Sequence, residues 1–295
     1  MPLALKHCKH MMYADDLQIY LHCYPDELPQ AVERVNEDVA MNHDWMLKNM
    51  LSLNISKTKA LIISSARYRS SIESSYVPPI RVKDEVIPYV VQAKNLGVII
   101  NNTLTWSEHV LFISRRVHNT LWQLKSNKEL LPTRLRSSLV NSLILPLFDY
   151  CALVYCDLTA GLELKLKRAL NSCVRFVFDV HKSEHISPYY RMLGWLDLAD
   201  RRKYLLGTFL FNTMSLGSPS YISDELVFLS AIRHRFTRGD PKDLFVPLHR
   251  TTVYQRSFLV SACVLWNTLP TSIRESSSVN VFRLKLREYL ASNTV

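Results

Sequence analysis

Tyr13-Ala14-Asp15-Asp16-Leu17-Gln18-Ile19-Tyr20 sets two adjacent carboxylates between the apolar stretch His10-Met11-Met12-Tyr13 and an alternating run that continues through Leu21 and His22. In that run Leu17, Ile19 and Leu21 fall on one face and Gln18, Tyr20 and His22 on the other, the period of two that a half-buried strand requires. The pattern predicts a β-hairpin with the acids at its tip. Asp is common in turns because its side chain bonds nearby backbone, so an ordinary turn accounts for an Asp-Asp pair taken alone. Two carboxylates this close also repel each other unless a cation or a shared proton relieves them, and a hard divalent ion bound through oxygen, Mg²⁺ above all, is the natural relief.

Outward from the hairpin, the charge is uneven. Residues 1 to 60 hold 6 Lys or Arg and 8 Asp or Glu, whereas the rest of the chain holds 30 and 18, so a region of −2 precedes one of +12. A basic body beside an acidic hairpin suits a polyanion binder with a metal site, because Lys and Arg neutralise phosphates and release counterions; a merely solvated basic surface is the bland alternative. Six scattered cysteines form no C-x-x-C pair and are expected to be reduced intracellular thiols. The start, Met1-Pro2-Leu3-Ala4-Leu5-Lys6-His7, has no charged region followed by an apolar core, so no secretory signal is expected. The most apolar window, Ser138 to Cys156, is interrupted by Asn141, Pro146 and Asp149 and is expected to be a buried helix, with no membrane span.

Along the chain, Pro25-Asp26-Glu27 opens a helix with Asp26 as candidate N-cap and Val32, Val35, Val39, Trp45 and Met46 at helical spacing to about Asn49, a helix expected to cover one face of the sheet. Leu53-Asn54-Ile55-Ser56-Lys57-Thr58-Lys59 leads into a strand-like Ala60-Leu61-Ile62-Ile63-Ser64, and the Ser-rich stretch from Ser64 to Pro79 reads as an exposed loop. Ile80-Arg81-Val82 and Val86-Ile87 flank a short hairpin, and Ala93-Lys94-Asn95-Leu96-Gly97-Val98-Ile99-Ile100 reads as one buried strand. Thr105-Trp106-Ser107-Glu108 has capping-box spacing before an amphipathic helix on Val110, Ile113, Val117, Leu121 and Leu124, with Arg115 and Arg116 off the apolar stripe. Further helices are predicted over Thr133 to Tyr150 and Leu162 to Val180, the latter carrying Lys165, Lys167, Arg168 and Arg175.

The string from Tyr13 to Tyr20 resembles the catalytic hairpin of reverse transcriptases from non-LTR retrotransposons of the jockey-like type. Two other elements resemble the same family: Asn54-Ile55-Ser56-Lys57-Thr58, and Lys94-Asn95-Leu96-Gly97-Val98 at the passage from palm to thumb. The succession from Glu184-His185-Ile186-Ser187-Pro188 through Leu193-Gly194-Trp195-Leu196, Arg201-Arg202-Lys203-Tyr204, Pro219-Ser220-Tyr221-Ile222, Arg250-Thr251-Thr252 and Leu265-Trp266-Asn267-Thr268-Leu269-Pro270 to Phe282-Arg283-Leu284-Lys285-Leu286-Arg287-Glu288-Tyr289-Leu290 resembles the region that follows the polymerase core. The resemblance implies that Asp15 and Asp16 hold two Mg²⁺ ions roughly 3.5 to 4 Å apart, activating a primer 3′-hydroxyl and steadying pyrophosphate. It implies further that Tyr13, Lys57, Lys59 and Gly97 border the incoming nucleotide and primer end. RNA template and DNA primer are then the partners, reached through phosphate contacts from Arg115, Arg116, Lys165, Lys167, Arg168, Arg201, Arg202 and Lys203, with no stable protein partner implied and residence in the nucleus or cytoplasm.

The expected fold is α+β: a partial polymerase palm sheet over residues 1–104, a helical thumb-like domain over 105–180 and a helical C-terminal region over 181–295. Polymerases of this kind use a third carboxylate on a palm strand ahead of the hairpin, and none of Met1 to Met12 is acidic, so the chain is expected to hold Mg²⁺ weakly and not to extend a primer alone. A non-catalytic nucleic-acid-binding relic is the alternative. A third reading, a zinc metallopeptidase, rests on His181-Lys182-Ser183-Glu184-His185, which fits H-x-x-E-H, yet Ile186-Ser187-Pro188 follows at once and places the motif in a linker where the histidines need not share a face.

Overall fold

The computed structural model describes residues 5–74, 76–232 and 240–293; residues 1–4, on which part of the leader expectation falls, lie outside them. The chain forms two compact units, Met1–Trp106 and Ser107–Val295. Short antiparallel strand pairs lie in the first and the regular elements of the second are helices, so the coarse α+β expectation matches the architecture.

In the first unit β1 (Lys9–Tyr13) and β2 (Asp16–Tyr20) pair antiparallel, with Tyr13 opposite Asp16. A 3₁₀ turn over Pro25–Glu27 leads into α1 (Leu28–Lys48). Asp26 lies inside that turn and does not cap the helix; Tyr24 takes the extended cap position, because Pro25 and Pro29 fix the backbone on either side and share the helix start between two short steps. The stretch read as a loop contains α2 (Ala66–Ser74), a helix without an apolar stripe, supported in part by an Arg69–Glu73 ion pair at 3.5 Å, and so invisible to hydrophobic periodicity. Then come β3 (Ile80–Val82), β4 (Glu85–Ile87), β5 (Gln92–Asn95) and β6 (Val98–Asn101). The expected single strand over Ala93 to Ile100 is therefore a hairpin. Leu96 (φ +43°) and Gly97 (φ +85°) make the turn, and a leucine at the first turn position hides it among apolar neighbours. Ala60 to Ser64 forms no strand: Ala60 makes one parallel bridge to Tyr89, where the neighbouring Pro88 has no N–H to offer a ladder.

Among the described residues the strand pairs are three separate two-stranded sheets, not one. Helix α1 packs on β3. Asn36 fastens the two, donating to Pro79 O at 3.1 Å and accepting from Arg81 N at 2.9 Å, while Val39, Leu53, Ile55 and Ile80 surround the buried Ala60, Val82 and Ile87.

The second unit opens with α3 (Ser107–Lys125), whose Val110, Ile113, Val117 and Leu121 are buried as the spacing predicts. The helix expected over Thr133 to Tyr150 is two, α4 (Thr133–Leu143) and α5 (Leu145–Asp149), because Pro146 cannot continue the hydrogen-bond ladder. Helix α6 (Ala160–Phe178) is capped by Thr159, whose hydroxyl accepts from Leu162 N, and it packs against α3 and α4. After α7 (Ser187–Leu193), α8 (Leu198–Leu216), α9 (Ser220–Ser223), α10 (Leu229–Ile232), α11 (Thr252–Gln255), α12 (Phe258–Thr268), α13 (Thr271–Arg274) and α14 (Val279–Asn293), the unit closes by packing α14 and α12 on α8. Phe282 is stacked on Phe211 with centroids 4.4 Å apart and lies 6.3 Å from Trp266.

The Leu265-Trp266-Asn267-Thr268-Leu269-Pro270 stretch has a structural role. Trp266 Nε1 donates to Lys242 O, Asn267 both donates to Leu244 O and accepts from Leu244 N, and the buried Arg274 guanidinium bonds Asp240 and Asp243 at 2.8 Å each. These bonds pin the segment 240–244 to the core. All six cysteines are free thiols, and no helix among the described residues is long and apolar enough to cross a membrane. Removing the Phe282 ring leaves a void at the centre of this cluster, so Phe282→Ala is expected to lower stability by about 3 to 5 kcal/mol, read as a reduced urea midpoint of the chain.

Candidate functional site

The hairpin of β1 and β2 turns over two residues, Ala14 and Asp15, with Asp16 the first residue of β2. Ala14 takes φ +53°, and Lys83 and Leu96 repeat a positive φ at the first turn position of the other two hairpins, a geometry that matches strand twist. At a residue bearing Cβ this backbone costs roughly 1 to 2 kcal/mol. It holds Asp15 and Asp16 at a fixed tip. Both are exposed, and neither carboxylate has a hydrogen bond or ion pair among the described residues. The strands beside them are poorly covered, with Met11, Met12, Tyr13 and Tyr20 exposed. Two hard oxygen donors suit Mg²⁺ chemically, yet no group of three or more His, Cys, Asp or Glu side chains placed to hold a metal occurs among the described residues.

What fixes this hairpin is a third acid that the sequence reading passes over. Asp38, on α1, has no solvent exposure, and its carboxylate accepts from the backbone N–H of Lys6 (2.8 Å), His7 (2.9 Å) and Cys8 (2.7 Å), the residues that feed β1. Burial alone would raise the Asp38 pKa, but the three N–H bonds outweigh it and hold it below the ordinary value. The Cys8 thiol is pushed up to about 12 by burial, by its bond to Asp38 and by that negative charge. The only sequence signal is spacing: Asp38 falls on the stripe of Leu28, Ala31 and Val35, where an apolar residue is expected.

The remaining site residues of the first unit are dispersed. Asn54 builds a turn in which its side-chain oxygen accepts from Ser56 Oγ at 2.7 Å and Lys57 N at 3.2 Å, leaving the Lys57 and Lys59 side chains exposed beside a shallow hollow lined by Ser52, Leu53, Asn54, Ile55, Ser56 and Glu85. Gly97 sits at the β5–β6 turn and not within a strand.

In the second unit the expected phosphate contacts separate into two sets. Arg115 on α3 and Lys165, Lys167 and Arg168 on α6 are exposed and carry no ion pair among the described residues, and Arg116, also exposed, lies over the Phe112 ring at 5.6 Å. The other three, Arg201, Arg202 and Lys203, are engaged within the unit. Arg201 makes a two-pronged pair with Asp149, and Lys203 bonds Asp200 at 2.9 Å. Arg202 is largely buried, faces Glu163 at 3.5 Å and lies over the Tyr155 ring at 5.5 Å. Burial pulls the Arg202 guanidinium below its ordinary pKa, and Tyr155, Glu163 and Cys156 oppose that shift. A cation neutralised by its own fold adds little to a polyanion surface. Arg175 is likewise structural, donating to the carbonyls of His181, Lys182 and Glu184.

Those carbonyls belong to the histidine motif. Helix α6 ends at Phe178, Asp179 takes φ +60°, and His181 to His185 form a turn in which Glu184 accepts from His181 N and from the Tyr189 hydroxyl at 2.7 Å. The helical face that H-x-x-E-H zinc binding needs is not there. Trp122, exposed on α3, is a residue the sequence reading leaves out, although its position opposite Val117 and Leu121 makes it legible. No family model matches the chain, and no curated protein or solved structure matches it.

Asp38→Ala strands three N–H donors and frees the entry to β1. We expect the amides of residues 9–20 to exchange much faster while those of α6 keep their protection, with a local cost of about 2 to 4 kcal/mol. Because the folded Asp38 pKa is depressed, its contribution is present above the unfolded value of 3.8 and is lost as pH falls through the lower folded value. Hairpin protection should therefore fade on acidification in the native chain and lose that step in Asp38→Asn.

Proposed function

We propose that this chain is the part of a non-LTR retrotransposon reverse transcriptase that runs from the catalytic hairpin onward: a palm remnant in the first unit, then a thumb and the region that follows the polymerase core. The observation that carries the reading is Asp15 and Asp16 at the tip of a two-residue β-turn, exposed and without a partner among the described residues, beside Tyr13. Lys57, displayed by the Asn54 turn, suits a triphosphate, and the Leu96-Gly97 turn offers a close backbone approach to a primer end. Mg²⁺ held by Asp15 and Asp16, together with a third carboxylate, would supply the Lewis acidity of nucleotidyl transfer. RNA template and DNA primer are the partners, met in the nucleus or cytoplasm. The unpaired cations Arg115, Lys165, Lys167 and Arg168 favour a second reading, a nucleic-acid-binding module with the acid pair as a relic.

Primer extension with Mg²⁺ separates the two. The 295-residue chain is expected to bind template and primer without extending it. The same reading frame lengthened upstream through an Asp-bearing strand is expected to extend, and Asp15→Asn or Asp16→Asn to reduce the rate on the order of a thousandfold, since a metal's contribution is worth several kcal/mol. A frame with no such strand, or extension indifferent to both substitutions, removes the polymerase reading and leaves the binding module.

A further inference from the structure

Of the five tryptophans, Trp122 is the one left open to solvent, at 72% exposure; Trp106 and Trp266 are buried, and Trp45 and Trp195 are partly covered. A large aromatic outside the core is informative, because burying it would be favourable and the fold does not do so. Its neighbours one helical turn away are His118, Asn119, Lys125 and Ser126, all polar or basic. Arg115 lies two turns back on the same outward stripe, and Arg116 beside it places its guanidinium over Phe112. Arg115 to Lys125 spans about 15 Å of helix. The helix carries one acid, Glu108, in its first turn, where the helix dipole favours a negative charge.

We propose that this face of α3 binds single-stranded nucleic acid, with Trp122 as the platform on which an unpaired base stacks and Arg115, Arg116 and Lys125 as its phosphate contacts. The inference rests on the reading of the second unit as a nucleic-acid binder and adds the class of strand it takes. Charge complementarity selects the occupant. A protein partner anchored on a tryptophan surrounds it with an apolar, charge-poor patch, whereas a single strand needs an aromatic ring flanked by cations. A duplex keeps its bases stacked on one another and offers the indole nothing beyond phosphate.

The test is fluorescence anisotropy of the full chain with a labelled 20-nucleotide oligo(dT) and a 20-base-pair duplex at low and raised salt. Trp122→Ala is expected to weaken oligo(dT) binding about ten- to a hundredfold while changing duplex binding less than twofold. Trp122→Phe should restore most of the affinity. Oligo(dT) should also quench the tryptophan emission of the native chain and quench it far less in Trp122→Phe. Trp122 is exposed, so thermal melting of both variants should match the native chain. If Trp122→Ala binds oligo(dT) like the native chain, or loses both ligands equally, the stacking platform is wrong. Arg115→Glu combined with Arg116→Glu would then still report whether nucleic acid binds through charge. If the native chain binds neither ligand at low salt, the underlying reading fails as well. A self-associating chain that Trp122→Ala renders monomeric, with nucleic-acid binding unchanged, would replace the proposal with a protein interface.

Discussion

The Asp38 carboxylate is the interaction on which the acid-tipped hairpin depends. A two-stranded ribbon is at best marginally stable by itself, and every residue of β1 is exposed. Burying a carboxylate without partners is costly, and three backbone N–H donors offset that cost here. The same helix grips β3 through Asn36 and contributes Val39 to the small apolar cluster. Helix α1 thus carries two of the three hairpins, and it does so through polar side chains where packing area is scarce. Within a short region the chain uses one acid to build structure and leaves two others, Asp15 and Asp16, solvated and available.

A parallel division governs the cations of the second unit. Net charge alone treats every Lys and Arg as part of one basic surface. The fold instead consumes many of them: Arg201 on Asp149, Arg202 between Glu163 and Tyr155, Arg274 on Asp240 and Asp243, Arg287 on Gly194 O. Among the described residues Arg115, Arg116 and Lys125 on α3 and Lys165, Lys167 and Arg168 on α6 make no ion pair, and these two helices pack side by side. Phosphate affinity scales with the charges free to displace counterions, so this smaller set carries the electrostatic argument.

Much of this is legible in the sequence. The period of two places a hairpin with its turn at Ala14 and Asp15, though β2 starts at Asp16 and stops at Tyr20 where the alternation runs on to His22, and the apolar stripe of α3 places Val110, Ile113, Val117 and Leu121 in the core. Other elements were hidden for identifiable reasons. Helix α2 has no apolar face, and the β5–β6 turn contains a leucine where Asn or Asp would have announced it. The roles of Asp38, Arg201 and Arg202 depend on partners 30 to 52 residues away in the chain, which spacing within one element cannot reveal. Asp38 appears in sequence only as a polar residue where an apolar one belongs, and that kind of local violation is where a buried network should be sought.

The hairpin tip shows how strain and exposure combine at a candidate site. Ala14 adopts a left-handed backbone that glycine would take at less cost, and the turn it makes points two uncompensated carboxylates into water. The backbone turn serves the hairpin, as it does at Lys83 and Leu96, whereas the exposed carboxylates add nothing to its stability. The strain is held by β1–β2 pairing and, through Lys6, His7 and Cys8, by Asp38. A tip whose geometry is imposed by its surroundings can present its acids to a cation without reorganising when the cation arrives, and that preorganisation is what oxygen ligands for a small divalent ion require. Lys83 takes the same backbone ahead of the exposed Asp84 and Glu85 at the β3–β4 turn, so the turn geometry is shared between the hairpins, and it is the residues around Asp15 and Asp16, not the strain, that set this tip apart.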